Sequence, residues 1–312
     1  MTPDWKTVSF DSNVCRIHAR CSPEIPESGQ TLLLLHGHPQ THAMWHRVAP
    51  ELARTHRVVL MDLPGYGDSA RPAVEGAQLN PYSKRAMASA AWELMRHLGH
   101  ERFGVLAHDR GARVAHRLAM DASSAVTRMM LLDIAPTLAM YSNTTREFAT
   151  LYWHWFFLIQ PPPLPEALIE SDPVRYIRSL MGARRGGLSI FDAQAMAAYE
   201  RAVQIPGSAR AMCEDYRTAA GVDLEHDRAD IAAGRVLEQP LRVLWGEHGA
   251  VNRCFDVLQL WRERARQVTG AVLPSGHYIA EEVPGLLISE ALSFFGANGS
   301  NPNTSSQESP TT

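Results

Sequence analysis

Gly104-Val105-Leu106-Ala107-His108-Asp109-Arg110-Gly111 joins an apolar run to an aspartate with a small residue two positions before it and a glycine two positions after it. Helical sequence begins at Arg110. A turn this tight needs small residues on both sides. It lifts its central side chain above the strand end, beside a helix N-terminus whose free amides and dipole favour an anion. Aspartate before a helix is also a common N-cap, so the segment alone admits a structural reading as well as a chemical one. The flanking sequence decides between them.

Short apolar runs recur on both sides of this turn, at Thr31 to Leu35, Val58 to Met61, Phe103 to Ala107, Met129 to Leu132, Leu241 to Trp245 and Gly270 to Leu273. Such runs suit strands buried on both faces. The stretches between them read as helices: Tyr82 to Leu98, Asp109 to Met120, Phe255 to Val268 and Pro284 to Phe295. This alternation predicts an α/β fold with a mostly parallel central sheet and helices on both faces. Residues 6 to 20 alternate like a hairpin around Asp11-Ser12-Asn13. From Ala135 to about Leu224 the strand signals stop, and aromatic, proline-punctuated helical segments take over. We therefore expect a core of residues 1–135 and 225–296, an inserted helical cap of 136–224, and a disordered polar tail of 297–312.

Composition narrows the function. Apolar residues make up 45% and charged residues 20% of 312 residues, enough for one large core. A net charge of -3, with no dense Lys/Arg run, argues against a nucleic-acid partner. No apolar run approaches the ~20 residues that span a bilayer. The start lacks a basic-then-apolar signal pattern. Cys15, Cys21, Cys213 and Cys254 show no metal spacing or CxxC pair, so a cytoplasmic protein is expected.

Two further motifs precede the elbow in chain order: His36-Gly37-His38-Pro39 and Asp62-Leu63-Pro64-Gly65-Tyr66-Gly67-Asp68-Ser69, each after an apolar run. With the elbow they resemble the α/β-hydrolase superfamily. The resemblance implies that the backbone amides of His38 and Arg110 form an oxyanion site. His36, His38, His42 and His46 could instead suggest a metal site, but no carboxylate or cysteine completes a ligand set. The base is expected after the last strand, where Pro274-Ser275-Gly276-His277 lies. A carboxylate must orient His277. Element order favours Asp133, with Glu247 of Trp245-Gly246-Glu247-His248-Gly249 in reserve. Either acid could equally be a surface or capping residue.

An aspartate nucleophile attacking an sp3 carbon leaves an alkyl ester that water can open, whereas serine would leave a stable ether. Position 109 therefore points to carbon–halogen or epoxide opening rather than ordinary ester hydrolysis. Arg110 and Arg113, three apart on the starting helix, could hold a substrate carboxylate in bidentate fashion and keep Asp109 ionised. Unless they do so, they are surface or ion-paired arginines. Arg117, a turn further on, reads as structural. Asp109-Arg110-Gly111-x-Arg113, followed by Asp133, Tyr152-Trp153-His154-Trp155, Asp215-Tyr216-Arg217 and Gly276-His277, resembles the fluoroacetate (haloacetate) dehalogenases from about Leu32 to Phe295. The resemblance implies that Arg110 and Arg113 bind the substrate carboxylate and that His154, Trp155 and Tyr216 bind the halide. It also implies a homodimer. Lid packing is the plain alternative for the aromatic residues.

His38 and Ala107 depart from that family's pattern, where an aromatic residue and a glycine are expected, and Met181 to Gly187 has its own composition. The expected reaction turns a small 2-haloacid such as a haloacetate into glycolate and halide through an Asp109 ester, with no metal or organic cofactor. An epoxide hydrolase would share Asp109 and His277 and need two of Tyr152, Tyr176, Tyr199 and Tyr216. A non-catalytic receptor on the same scaffold would be expected to have lost the base or the nucleophile. A haloalkane dehalogenase usually has Trp where Arg110 stands.

Overall fold

Leu32 to Leu35 are wholly buried because helices cover both faces of the strand they form, each side chain contributing about 1.5–3 kcal/mol on leaving water. The computed structural model describes residues 4–23, 30–74 and 80–296. The expected tail at 297–312 lies outside these described residues. Among the described residues, eight strands form one sheet: β1 (Lys6–Asp11), β2 (Arg16–Cys21), β3 (Thr31–Leu35), β4 (Arg57–Met61), β5 (Phe103–His108), β6 (Val126–Leu132), β7 (Leu241–Gly246) and β8 (Val268–Leu273). Their order is β1-β2-β4-β3-β5-β6-β7-β8. The hairpin β1–β2 and the pair β2–β4 are antiparallel, and the remaining pairs are parallel. This is the α/β architecture expected from the alternating runs.

The helix Lys84–His97 packs against the elbow helix Asp109–Asp121. Ser83 caps the former, accepting from the Ala86 amide at 3.2 Å. The helix expected over Phe255 to Val268 is shorter, Val257–Arg262. The reason is tertiary: Leu237 N–H donates to Arg264 O (2.8 Å) and Arg266 N–H to Leu237 O (3.0 Å), so an extended pairing takes over before β8 begins at Val268.

Between β6 and β7 every regular element is a helix, from Thr137–Ser142 to Val222–Ala232. The last of these runs through residues 224 and 225, so the boundary expected there falls inside a helix. Trp155, Tyr152 and Tyr216 from this segment are almost wholly buried, over the strand ends that carry Asp109 and Asp133.

Candidate active site

Asp109 adopts φ 46°, a left-handed conformation that a side chain occupies only under constraint. Two glycines supply the constraint. A Cβ on Gly37 would lie 2.5 Å from Asp109 Cβ, and one on Gly111 would lie 2.4 Å from the His36 carbonyl oxygen. The His-Gly loop after β3 and the turn after β5 can therefore approach only with glycine at both places. Their contact brings the His38 N–H to Asp109 Oδ1 at 3.0 Å. Burial would raise the Asp109 pKa, but the facing His277, Arg110 and Arg113 outweigh it and hold the carboxyl far below its usual range.

His277 Nδ1 lies 2.6 Å from Asp133 Oδ2, and Asp133 Oδ1 accepts the Gly246 amide at 3.0 Å. Asp133 too has a positive φ, 50°. The reserve acid, Glu247, is solvent-exposed, with His248 3.7 Å from its carboxylate. Geometry thus brings Asp133 and not Glu247 to His277. Three residues not anticipated from sequence shape this corner. His108 Nε2 donates to the His277 carbonyl at 2.9 Å, which fits the neutral state that burial imposes by lowering its pKa to about 4. Glu282 receives the Gly276 amide (2.7 Å) and the Tyr278 amide (3.0 Å), clasping the backbone on both sides of the base. Arg184 stacks on the Tyr152 ring at 4.7 Å. His108 and Glu282 act through long-range or loop contacts that leave no spacing signal.

The arginines stand differently from the expectation. Both are buried and face the region above Asp109, but Arg110 spends most of its fork on protein: Nε donates to Asp215 Oδ2 (3.0 Å) and Nη2 to Asp215 Oδ1 (2.7 Å) and to its carbonyl (2.6 Å). Lys84 Nζ and the Tyr66 hydroxyl (2.7 Å) complete the shell of Asp215. Arg110 and Lys84 outweigh the burial of Asp215 and hold it ionised. Arg113 Nη1 donates to Thr137 Oγ1 (2.8 Å) and Ala135 O (3.2 Å). One guanidinium nitrogen of each, Arg110 Nη1 and Arg113 Nε, has no hydrogen-bond partner among the described residues. A carboxylate can thus receive one N–H from each arginine, not a full fork from either.

The same lack of partners marks the expected halide residues. Among the described residues, His154 Nδ1, Trp155 Nε1 and the Tyr216 hydroxyl are buried without a hydrogen bond, as are the Tyr152 and Tyr176 hydroxyls and His38 Nε2. An unmet buried polar group costs about 1–3 kcal/mol, so a cluster of them marks a place where a polar ligand would repay the cost. The rings converge: Tyr216 lies 5.8 Å from His154, 6.2 Å from Trp155 and 5.2 Å from His38, centroid to centroid. Arg110 lies 4.1 Å over the Tyr216 ring and Arg113 4.7 Å over Trp155. Each spare guanidinium N–H thus belongs to a cation stacked on a candidate halide donor.

Residues 30–282 match the family described as alpha/beta hydrolase fold. The chain is 41% identical to fluoroacetate dehalogenase of Burkholderia sp over 82% of its own length and 84% of that protein's. It is 35% identical to soluble epoxide hydrolase of Corynebacterium sp. (strain C12), over 86% and 91%. A solved structure from Nostoc sp PCC 7120, described only as an α/β hydrolase, superimposes with TM-score 0.91 at 47% identity, covering 96% of this chain and all of the other. Together with the eight-stranded sheet and its strained elbow, these matches show that the chain belongs to the α/β-hydrolase fold family, as a hydrolase related to fluoroacetate dehalogenase and to soluble epoxide hydrolase.

Proposed function

We propose that the protein hydrolyses small 2-haloacids, haloacetate being the simplest, to the 2-hydroxyacid and halide. The substrate carboxylate receives one N–H from Arg110 and one from Arg113. Asp109 then attacks the α-carbon with the oxygen not held by His38; the C–O bond forms as the carbon–halogen bond breaks, and the halide leaves with the bonding pair towards His154, Trp155 and Tyr216. Water, deprotonated by His277, next attacks the Asp109 carboxyl carbon. The oxyanion forms where the His38 amide already donates, with the Arg110 amide as the second expected donor. As that intermediate collapses, the C–O bond to the substrate breaks, protonated His277 returns its proton to the departing alkoxide to give glycolate, and Asp109 loses its remaining proton to solvent and is restored as a carboxylate. The observation that carries this reading is the convergence of three buried, unpartnered donors with two spare guanidinium N–H groups above one ionised carboxylate. Its test is halide release from fluoroacetate and chloroacetate by wild type and Asp109→Asn. Release by the former and none by the latter is expected; no release by wild type overturns the substrate.

Epoxide hydrolysis is the second reading, favoured by the unpartnered hydroxyls of Tyr152, Tyr176 and Tyr216. Tyr199 is spoken for: it donates to Glu281 at 2.7 Å and accepts from Gln40 at 3.1 Å. Turnover of styrene oxide without turnover of haloacetate would establish this second reading. On either chemistry the helical segment 136–224 acts as a cap over the site, and the working form is a cytoplasmic homodimer. Light scattering of the purified protein tests the dimer.

A further inference from the structure

The histidine-rich loop after β3 holds one residue that neither reading uses. His42 Nδ1 lies 2.9 and 3.0 Å from the two carboxylate oxygens of Asp62, and His18 Nδ1, from β2, lies 3.0 Å from Asp62 Oδ2. The carboxylate and third ligand that the loop itself lacks thus arrive from other parts of the sheet. One candidate ligand atom from each of the three residues lies within 4.8 Å of the other two. Asp62 is fixed in place, since the His42 amide donates to Oδ1 (2.8 Å) and the Asp68 amide to Oδ2 (3.0 Å). His36 is not a member. Its Nδ1 donates to the Gly37 carbonyl (2.9 Å) and its Nε2 accepts the Leu63 amide (3.1 Å), so both ring nitrogens are used.

We propose that His18, His42 and Asp62 form a binding site for a borderline divalent metal ion of the zinc type. Zinc bonds of about 2.0–2.2 Å to nitrogen and oxygen set tetrahedral ligands about 3.3–3.5 Å apart. The observed N···O separations lie a few tenths of an ångström inside that, so the imidazoles have to draw back slightly from the carboxylate for the ion to enter. Two imidazoles and one carboxylate also suit this class of ion better than magnesium or calcium, which prefer oxygen. A cavity of about 390 Å³ opens over the cluster, walled on the far side by Gln194 and Ala198, and gives both a path in and room for a fourth ligand. Arg201 and Arg20 line the same cavity: the first is neutralised by Asp68 through two contacts of 2.8 Å, and the second donates to the Trp5 carbonyl at 3.1 Å. On binding, each Nδ1 proton now given to Asp62 is released to solvent and replaced by the metal. The site stands apart from haloacid chemistry. His42 lies four residues beyond His38, so the ion braces the loop that carries the amide on Asp109.

The test uses the tag-free full chain, stripped of metal and dialysed against zinc. Binding of a single equivalent is expected, with an absorption band of tetrahedral type when cobalt(II) replaces zinc. His18→Gln and His42→Gln should each weaken zinc at least about tenfold, since loss of even an outer-shell partner typically costs about 10–100-fold, and should abolish the zinc-induced rise in melting temperature expected of wild type. Wild-type binding in the double variant overturns the site. Where a variant misfolds, nitrogen NMR of the wild-type imidazoles decides: zinc must shift two Nδ1 resonances, and spectra unmoved by zinc leave the cluster as a hydrogen-bonded clamp on Asp62.

Discussion

Asp109 and His277 divide the proposed reaction between them. In His277→Gln the first displacement should proceed while the ester persists, because no base is left to deprotonate water. Rapid mixing should show a halide burst equal to the enzyme, and mass spectrometry a chain heavier by one carboxymethyl group; steady turnover would remove His277 from the base role. Asp215 is a positioning residue for Arg110. Asp215→Asn leaves Arg110 buried without its paired carboxylate and Lys84 facing the more distant Asp223 (3.8 Å), which should cost about 3–5 kcal/mol in urea unfolding. The KM for haloacetate should rise more than kcat falls, since Arg110 would lose its orientation while Asp109 keeps its place. Unchanged stability would show that the charges find other partners.

Where elements meet, a proton sits between them. Glu281, in the short helix Ile279–Glu282, accepts from Tyr199 on the helix Ala193–Val203, and burial pushes its carboxyl up to about 7 from an ordinary 4.5. A folded-state pKa above the unfolded one means that the folded chain binds more protons in this window. The stabilisation is whole below about 4.5 and is lost as pH rises through about 7. The melting temperature of wild type should therefore fall between mildly acidic and neutral pH relative to Glu281→Gln; parallel curves would refute the shift. Such cross-element contacts also mark the limit of what the chain discloses. The elbow was legible because its residue types answer to local backbone demands at Asp109, Gly37 and Gly111. The strands were legible from their burial. That Asp215 consumes most of Arg110 was not, because the two lie 105 positions apart and the contact exists only after helices pack. The same cause shortened the helix at Val257, and it hid His18 and Asp62 from His42.

Across the whole molecule, a net charge of -3 would repel an anionic substrate, so attraction has to be local. A cavity of about 300 Å³ lined by Arg184 and Arg185 reaches His277, while Arg253 on the same wall is paired with Glu147. Charge of one sign along such a passage raises the local concentration of an oppositely charged ligand, and salt screens it over about 10 Å at 0.1 M. On the haloacid reading, kcat/KM should fall with ionic strength while kcat stays level, and Arg184→Gln should flatten the slope. A slope unaffected by Arg184→Gln would place the attraction elsewhere. The stacking of Arg110 on Tyr216 and of Arg113 on Trp155 has one more consequence. The groups that would read the acid end of a substrate and those that would receive its leaving group are rigid halves of the same two stacks. Neither end can be relocated without the other, so the pair works as a ruler. A 3-halopropionate, longer by one methylene, cannot meet both marks at once.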